Sequence, residues 1–133
     1  MNSVPVYDGV LLESVEITPN SSDLESNTIP VGCTSVSLLA NANGVTDYFL
    51  LPAASLVPNG FCITVIAGAA DCEMRTPQAT TDKINNVDCS DNATEYLVGA
   101  LDTILVTKIS NTVGWEAHSI TELGADLGAV IPD

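Results

Sequence analysis

The chain has 133 residues, of which 46% are hydrophobic, and its 17 acidic side chains outnumber three basic ones to give a formal net charge of −14. This length predicts one domain with a single core. Arg75, Lys83 and Lys108 are too few cations to form a nucleic-acid surface or to attract an anionic membrane. No apolar run reaches the roughly 18 residues of a membrane span. The first residues lack the basic segment of a signal peptide, so we expect synthesis in the cytoplasm without export.

Short apolar segments separated by turn residues predict an all-β fold with little helix. In chain order, strands are expected over 10–17, 31–39, 45–51, 61–67, 72–76, 94–98, 103–109 and 115–120, with a brief pairing at 83–85. Asn43-Gly44 predicts a tight hairpin that returns 45–51 against 31–39. Segment 61–67 is apolar on both sides, so both of its faces are expected to be covered. Eight or nine such strands predict a single β-sandwich or jelly-roll-like barrel.

The two ends of the chain differ from its middle. Residues 1–30 are largely polar and aperiodic and are predicted to form an extended N-terminal arm, followed by a β-sandwich domain over 31–120 and a tail over 121–133. Gly124, Gly128 and Pro132 disfavour a helix in that tail. Because a segment that orders on a partner can cover a large area, the arm and the tail are the predicted sites of partner binding.

Four cysteines are present, but their spacing is not that of a metal site. Cys33, Cys62, Cys72 and Cys89 include no Cys-x-x-Cys pair, so we expect reduced, buried thiols that behave as small apolar side chains. A Cys62–Cys72 disulfide is the alternative, because a hairpin could bring these two residues together.

The remaining reactive side chains form no recognisable catalytic pattern. His118 is the single histidine, has no nucleophile motif beside it, and is interpreted as structural or exposed. Residues 88–95 alternate oxygen-bearing side chains but have Ala93 where a calcium loop needs glycine. No catalytic, cofactor-binding or metal-binding residue is therefore predicted, and no enzyme activity. A hydrolase that uses a pair of carboxylates is the alternative that 17 acids leave open.

Four segments between residues 45 and 120 carry a family resemblance. They are a strand ending in Leu51-Pro52-Ala53, the strand Gly60-Phe61-Cys62-Ile63-Thr64-Val65, the segment Asp82-Lys83-Ile84-Asn85, and a closing hairpin with Gly114-Trp115. Together they resemble the small β-domains of tailed-phage heads and fibres, and in particular capsid decoration (cement) proteins. The resemblance covers about residues 45–120 and assigns these positions to the scaffold, with Trp115 in the core.

This resemblance implies a virion structural protein on the capsid exterior, made in the host cytoplasm. Its expected partners are two further copies in a homotrimer and the major capsid protein, whose shell it would stabilise. The acidic surface would repel DNA, and the apolar excess could be buried between protomers. The alternative is a phage fibre or receptor-binding β-module that recognises a host surface glycan through loops such as 86–94.

Overall fold

The computed structural model describes residues 14–78, 81–90, 94–120 and 131–132, and this part of the chain is almost entirely β-structure. The strands are β1 (Ser14–Ile17), β2 (Ser35–Leu38), β3 (Tyr48–Leu50), β4 (Cys62–Ile66), β5 (Cys72–Arg75), β6 (Lys83–Ile84), β7 (Val87–Asp88), β8 (Thr94–Val98), β9 (Thr103–Ser110), β10 (Gly114–Ile120) and β11 (Ile131–Pro132). Among the described residues, helical structure is limited to two 3₁₀ turns, Gly44–Thr46 and Ala54–Leu56. The prediction of an all-β fold is confirmed.

Two sheets enclose the core. One has seven strands in the order β1-β2-β4-β9-β10-β6-β7, and the other has four in the order β11-β8-β5-β3. Both contribute to one hydrophobic cluster, in which Trp115, Tyr96 and Phe49 are the largest fully buried side chains. A pair of sheets around one core is the arrangement of the predicted sandwich. The position of Trp115 in that core is confirmed.

Alternation of side chains explains which strand residues are buried. Val36 and Leu38 of β2 and Ile63 and Val65 of β4 point into the core, as period-two patterning predicts. The opposite side of β4 is open, because Cys62 and Ile66 are exposed. The prediction that both faces of segment 61–67 are covered is therefore wrong. The predicted β9–β10 hairpin is confirmed and pairs antiparallel along its length.

The predicted hairpin at Asn43-Gly44 is wrong. Strand β2 pairs in parallel with β1 on one side and with β4 on the other, so both of its edges are occupied. The turn instead leads into the 3₁₀ segment Gly44–Thr46 and carries the chain to the second sheet, where β3 pairs in parallel with β5. Gly44 has a positive φ of 60°, which agrees with the predicted turn at this position. The prediction fails only in the strand with which the returning segment pairs.

Residues 14–30 are part of the β domain, which differs from the predicted arm over 1–30. Strand β1 pairs with β2 at the edge of the larger sheet, and Ile29 is fully buried. The Asn27 side chain donates to the carbonyls of Asn20 and Tyr48 at 2.9 and 2.8 Å, which fastens the 18–30 segment to β3. The predicted arm over residues 1–13 lies outside the described residues. Of the predicted tail, β11 is described and pairs with β8.

The short strands β6 and β7 form a hairpin whose turn is Asn85-Asn86. Both asparagines have positive φ, 51° and 67°, as a type I′ turn requires. The brief pairing predicted at 83–85 is thereby confirmed. At the start of β10, Gly114 has φ 83°, and an added Cβ would lie 2.5 Å from the backbone of Lys83, so only glycine allows this close approach of β10 to β6.

Candidate functional site

Outward side chains of five neighbouring strands of the seven-stranded sheet form a continuous surface that the other described residues leave open. It is formed by side chains of β1, β2, β4, β9 and β10 that point away from the core, and it is called the low-charge face below. These side chains are Ser14, Glu16, Ser35, Ser37, Cys62, Thr64, Ile66, Thr103, Leu105, Thr107, Ile109, Glu116, His118 and Ile120.

Strand register arranges these side chains in rows across the sheet. The central row joins Thr64 on β4, Leu105 on β9 and His118 on β10, and the next row joins Ile66, Thr103 and Ile120. Hydroxyl and aliphatic side chains therefore alternate on neighbouring strands. Leu105 is 41% exposed and Ile66 is 44% exposed, so aliphatic surface is open to water in the middle of the face.

Charge is scarce on this face although the protein is strongly acidic. Of the 11 acids among the described residues, two, Glu16 and Glu116, lie on it. The outer side of the four-stranded sheet is different, since Glu73 there accepts a 2.8 Å hydrogen bond from Nε of Arg75 and that guanidinium lies 4.1 Å from the ring centroid of Tyr48. These two charges are nearly buried against each other, whereas the outward side chains of β2, β4 and β9 are uncharged.

Two buried ionisable groups, Asp82 and Lys108, hold an irregular segment in place. The Lys108 ammonium donates to the carbonyl of Val57 at 2.8 Å and to Oδ1 of Asn111 at 2.6 Å. Burial raises the pKa of Asp82, while the backbone N–H of Ala54, the hydroxyl of Thr81 and the charge of Lys108 act in the opposite direction. Both groups fasten the segment that contains the 3₁₀ turn Ala54–Leu56, so their role is structural.

None of the four cysteines, all of which the structure describes, forms a disulfide. Cys33, Cys72 and Cys89 are buried, whereas Cys62 is exposed on the low-charge face, so the expectation of buried thiols holds for three of the four. The Cys62–Cys72 disulfide is not formed, because β4 and β5 belong to different sheets instead of one hairpin. Burial, followed by the charges of neighbouring acids, raises the pKa of Cys72 to about 12, which keeps its thiol protonated and unreactive at neutral pH.

His118 lies on the exposed side of β10, and its Nε2 is 3.3 Å from Oε1 of Glu116. This agrees with its interpretation as a structural or exposed residue. The two side chains border a pocket of about 390 Å³ at the end of the low-charge face. Its other lining residues are Asn85, Asn86, Ile109, Val113 and Trp115.

Asp88 makes hydrogen bonds to the described residues on both sides of the acidic segment 88–95. Oδ1 of Asp88 accepts from the N–H and the hydroxyl of Ser90, and the Asp88 carbonyl accepts from the hydroxyl of Thr94. Residues 91–93 lie outside the described part of the chain. Within the described ranges, no group of three or more His, Cys, Asp or Glu side chains could hold a metal ion.

No protein-family model matches the sequence, and no curated protein matches it. Among the described residues, none of the helices has the length and apolar character needed to cross a membrane.

The low-charge face was not identified from the sequence, although its signal is present there. The alternation Thr103, Leu105, Thr107 marks one side of β9, and its opposite side contains Ile104 and Val106, which are buried. What the sequence does not show is that β4 and β10 lie beside β9, so that their outward side chains, among which Glu116 is the one acid, join the same surface. The face can therefore be recognised only when the register of these strands is known.

Proposed function

We propose that the protein is a virion structural protein, a homotrimeric decoration protein that binds the major capsid protein on the head exterior and stabilises the shell. The observation that carries this proposal is the low-charge face. A protein with a net charge of −14 repels its own copies, and the repulsion is weakest where acids are fewest. The family resemblance supplies the identity of the larger partner.

The low-charge face is assigned to contact between copies of the chain. Open aliphatic side chains such as Ile66 and Leu105 provide apolar area to bury, and the threonines between them can exchange hydrogen bonds across an interface. In a three-fold ring each protomer presents this face to a different surface of its neighbour, since such contacts are head-to-tail. The remaining surfaces are left for the shell.

Substitution of one residue at the centre of the face tests the trimer. Leu105→Glu places a new charge among uncharged side chains and is expected to convert a trimer, measured by light scattering after size-exclusion chromatography, into a monomer. Leu56→Glu is the matched control, because Leu56 is also exposed, at 60%, but lies on the 3₁₀ turn away from this face. A wild-type monomer, or a Leu105→Glu variant that remains trimeric with its β-sheet spectrum intact, would contradict the assignment.

Co-sedimentation with capsids tests the second half of the proposal. The full chain is expected to bind expanded shells assembled from the major capsid protein of the same virus, and not immature shells. Bound shells are expected to withstand a higher temperature than bare ones. If the protein does not bind expanded shells, the proposed decoration function is wrong, whatever the oligomeric state.

A glycan-binding fibre module is the second candidate, and the pocket beside His118 favours it. The amide group of Asn86 and the His118–Glu116 pair line this pocket, and such groups are suited to sugar hydroxyls. Binding on a glycan array that is lost in His118→Ala, together with no affinity for shells, would replace the decoration function with this one.

A further inference from the structure

The turn between β8 and β9 contains a leucine whose backbone conformation is unusual for this residue type and whose apolar side chain is exposed to water. The N–H of Asp102 donates to the carbonyl of Gly99 at 3.1 Å, so Leu101 is the third residue of a β-turn, and its φ is +67°. Turns of this kind normally use glycine or asparagine at that position. The Leu101 side chain is also 78% exposed, the highest value among the large exposed apolar residues of the described chain.

Hydrogen bonds from two other segments hold this turn in place. The N–H of Leu101 donates to the carbonyl of Gly68 at 2.8 Å, and the N–H of Ala100 donates to Oδ1 of Asp71 at 2.8 Å. The Asp102 carbonyl accepts from the N–H of Ala67 at 2.8 Å. A strained residue persists when its surroundings fix it in this way, and it is then presented in one orientation.

Two more exposed apolar residues belong to the same end of the molecule. Gly68, which binds the turn, is in close backbone contact with the segment at Leu39, which is 44% exposed. Asn41 donates to the carbonyl of Asp71 and accepts from the N–H of Gly44, beside Val45, which is 45% exposed. Leu39, Val45 and Leu101 are called the apolar tip below.

The charges around the apolar tip indicate what kind of surface could cover it. Asp71 and Asp102 adjoin Leu101, and a partner must therefore offer positive charge at the rim of the contact. A second copy of the chain offers at most one such charge. Arg75 is paired with Glu73 and Lys108 is buried, which leaves Lys83 as the only other cation in the sequence.

We propose that the apolar tip inserts into an apolar socket, rimmed by lysine or arginine side chains, on the capsid shell. This inference rests on the proposed decoration function and assigns to it the surface that contacts the larger partner. It differs from the sequence-based expectation, which placed partner binding in the arm and the tail. It also separates two surfaces, since the tip contacts the shell and the low-charge face contacts other copies.

Leu101→Asn tests the proposal because asparagine adopts positive φ readily and lacks the apolar side chain. The variant should fold at least as stably as the wild type and remain trimeric. Because the variant cannot bury a leucine side chain in the socket, its affinity for expanded shells in co-sedimentation should fall by roughly tenfold or more. Leu56→Asn, the same change at another exposed leucine, should bind as the wild type does.

The possible results separate this inference from the proposed function. If the Leu101→Asn variant binds shells as tightly as the wild type does, the tip contact is wrong and the decoration function still holds. Absence of wild-type binding overturns both. Loss of the trimer in Leu101→Asn would place the tip between copies and overturn the assignment. If the affinity for shells is the same at about 0.01 and 0.15 M ionic strength, the proposal that the socket has a positively charged rim is wrong.

Discussion

Asp82 is almost completely buried, and its carboxylate accepts a hydrogen bond from a backbone N–H. Its side chain accepts from the N–H of Ala54, which is itself buried, and burial holds the pKa of Asp82 above its usual value. A folded-state pKa above the unfolded one means that the folded chain binds the proton more tightly. The stability contributed by this group is therefore largest below the unfolded pKa and decreases as the pH rises through the folded one.

Two substitutions of Asp82 should have different effects. Asp82→Asn keeps an acceptor for the Ala54 N–H and removes the charge, so its stability relative to the wild type should be greater at pH 7 than at about pH 3, where the wild-type carboxyl is protonated. Asp82→Ala leaves a buried N–H without an acceptor and should cost about 1–3 kcal/mol. Urea denaturation at both pH values measures these differences. A relative stability of Asp82→Asn that is the same at both pH values would contradict this account.

The side chain of Asn85 reinforces the pairing of the β6–β7 hairpin with β10. Asn85 donates to the carbonyl of Ala117 at 3.1 Å and accepts from its N–H at 2.8 Å, so its side chain extends the parallel pairing of β6 with β10. Asn85→Ala removes both bonds and puts alanine at φ 51°, which should cost roughly 2–4 kcal/mol. The measurement is the free energy of unfolding in urea.

Asn86 provides the matched control for that prediction. It occupies the next position of the same turn with φ 67°, but its side chain is exposed. Asn86→Ala carries the same positive-φ penalty without the loss of the bonds to Ala117 and should therefore cost less, about 1–2 kcal/mol. An equal loss in both variants would show that turn conformation, and not the bonds to Ala117, fixes this hairpin.

The sequence predicts strands better than their partners, for a physical reason. Alternation within β2, β9 and β10 depends on residues two apart, so local pattern is enough to place them. The partner of β3 depends on whether the edges of β2 are already filled, and these are filled by β1 and β4. Polar residues 18–30 gave no periodic signal, yet one buried residue, Ile29, and the Asn27 side chain attach them to the domain.

The candidate surfaces were harder to predict because each depends on residues distant in sequence. The low-charge face is assembled from five strands in a particular register. The apolar tip joins three loops that meet through Asp71 and Gly68. Leu101 carried a local signal, since a leucine in the third position of a turn is unusual. Recognising that signal requires knowing where the turn lies. The sequence does not show this, because β8 and β9 belong to different sheets and do not form a hairpin.

Salt should change the two proposed contacts of the whole molecule in opposite directions. Copies with a net charge of −14 repel one another, so raising ionic strength from about 0.01 to 0.15 M, which shortens the screening length from roughly 30 to 8 Å, should strengthen the trimer. The same change should weaken attachment to the shell, because there the acids around Leu101 face positive charge. Light scattering and co-sedimentation in the same buffers measure both. If both contacts respond to salt in the same direction, one surface serves both, and the separation of low-charge face from apolar tip is wrong.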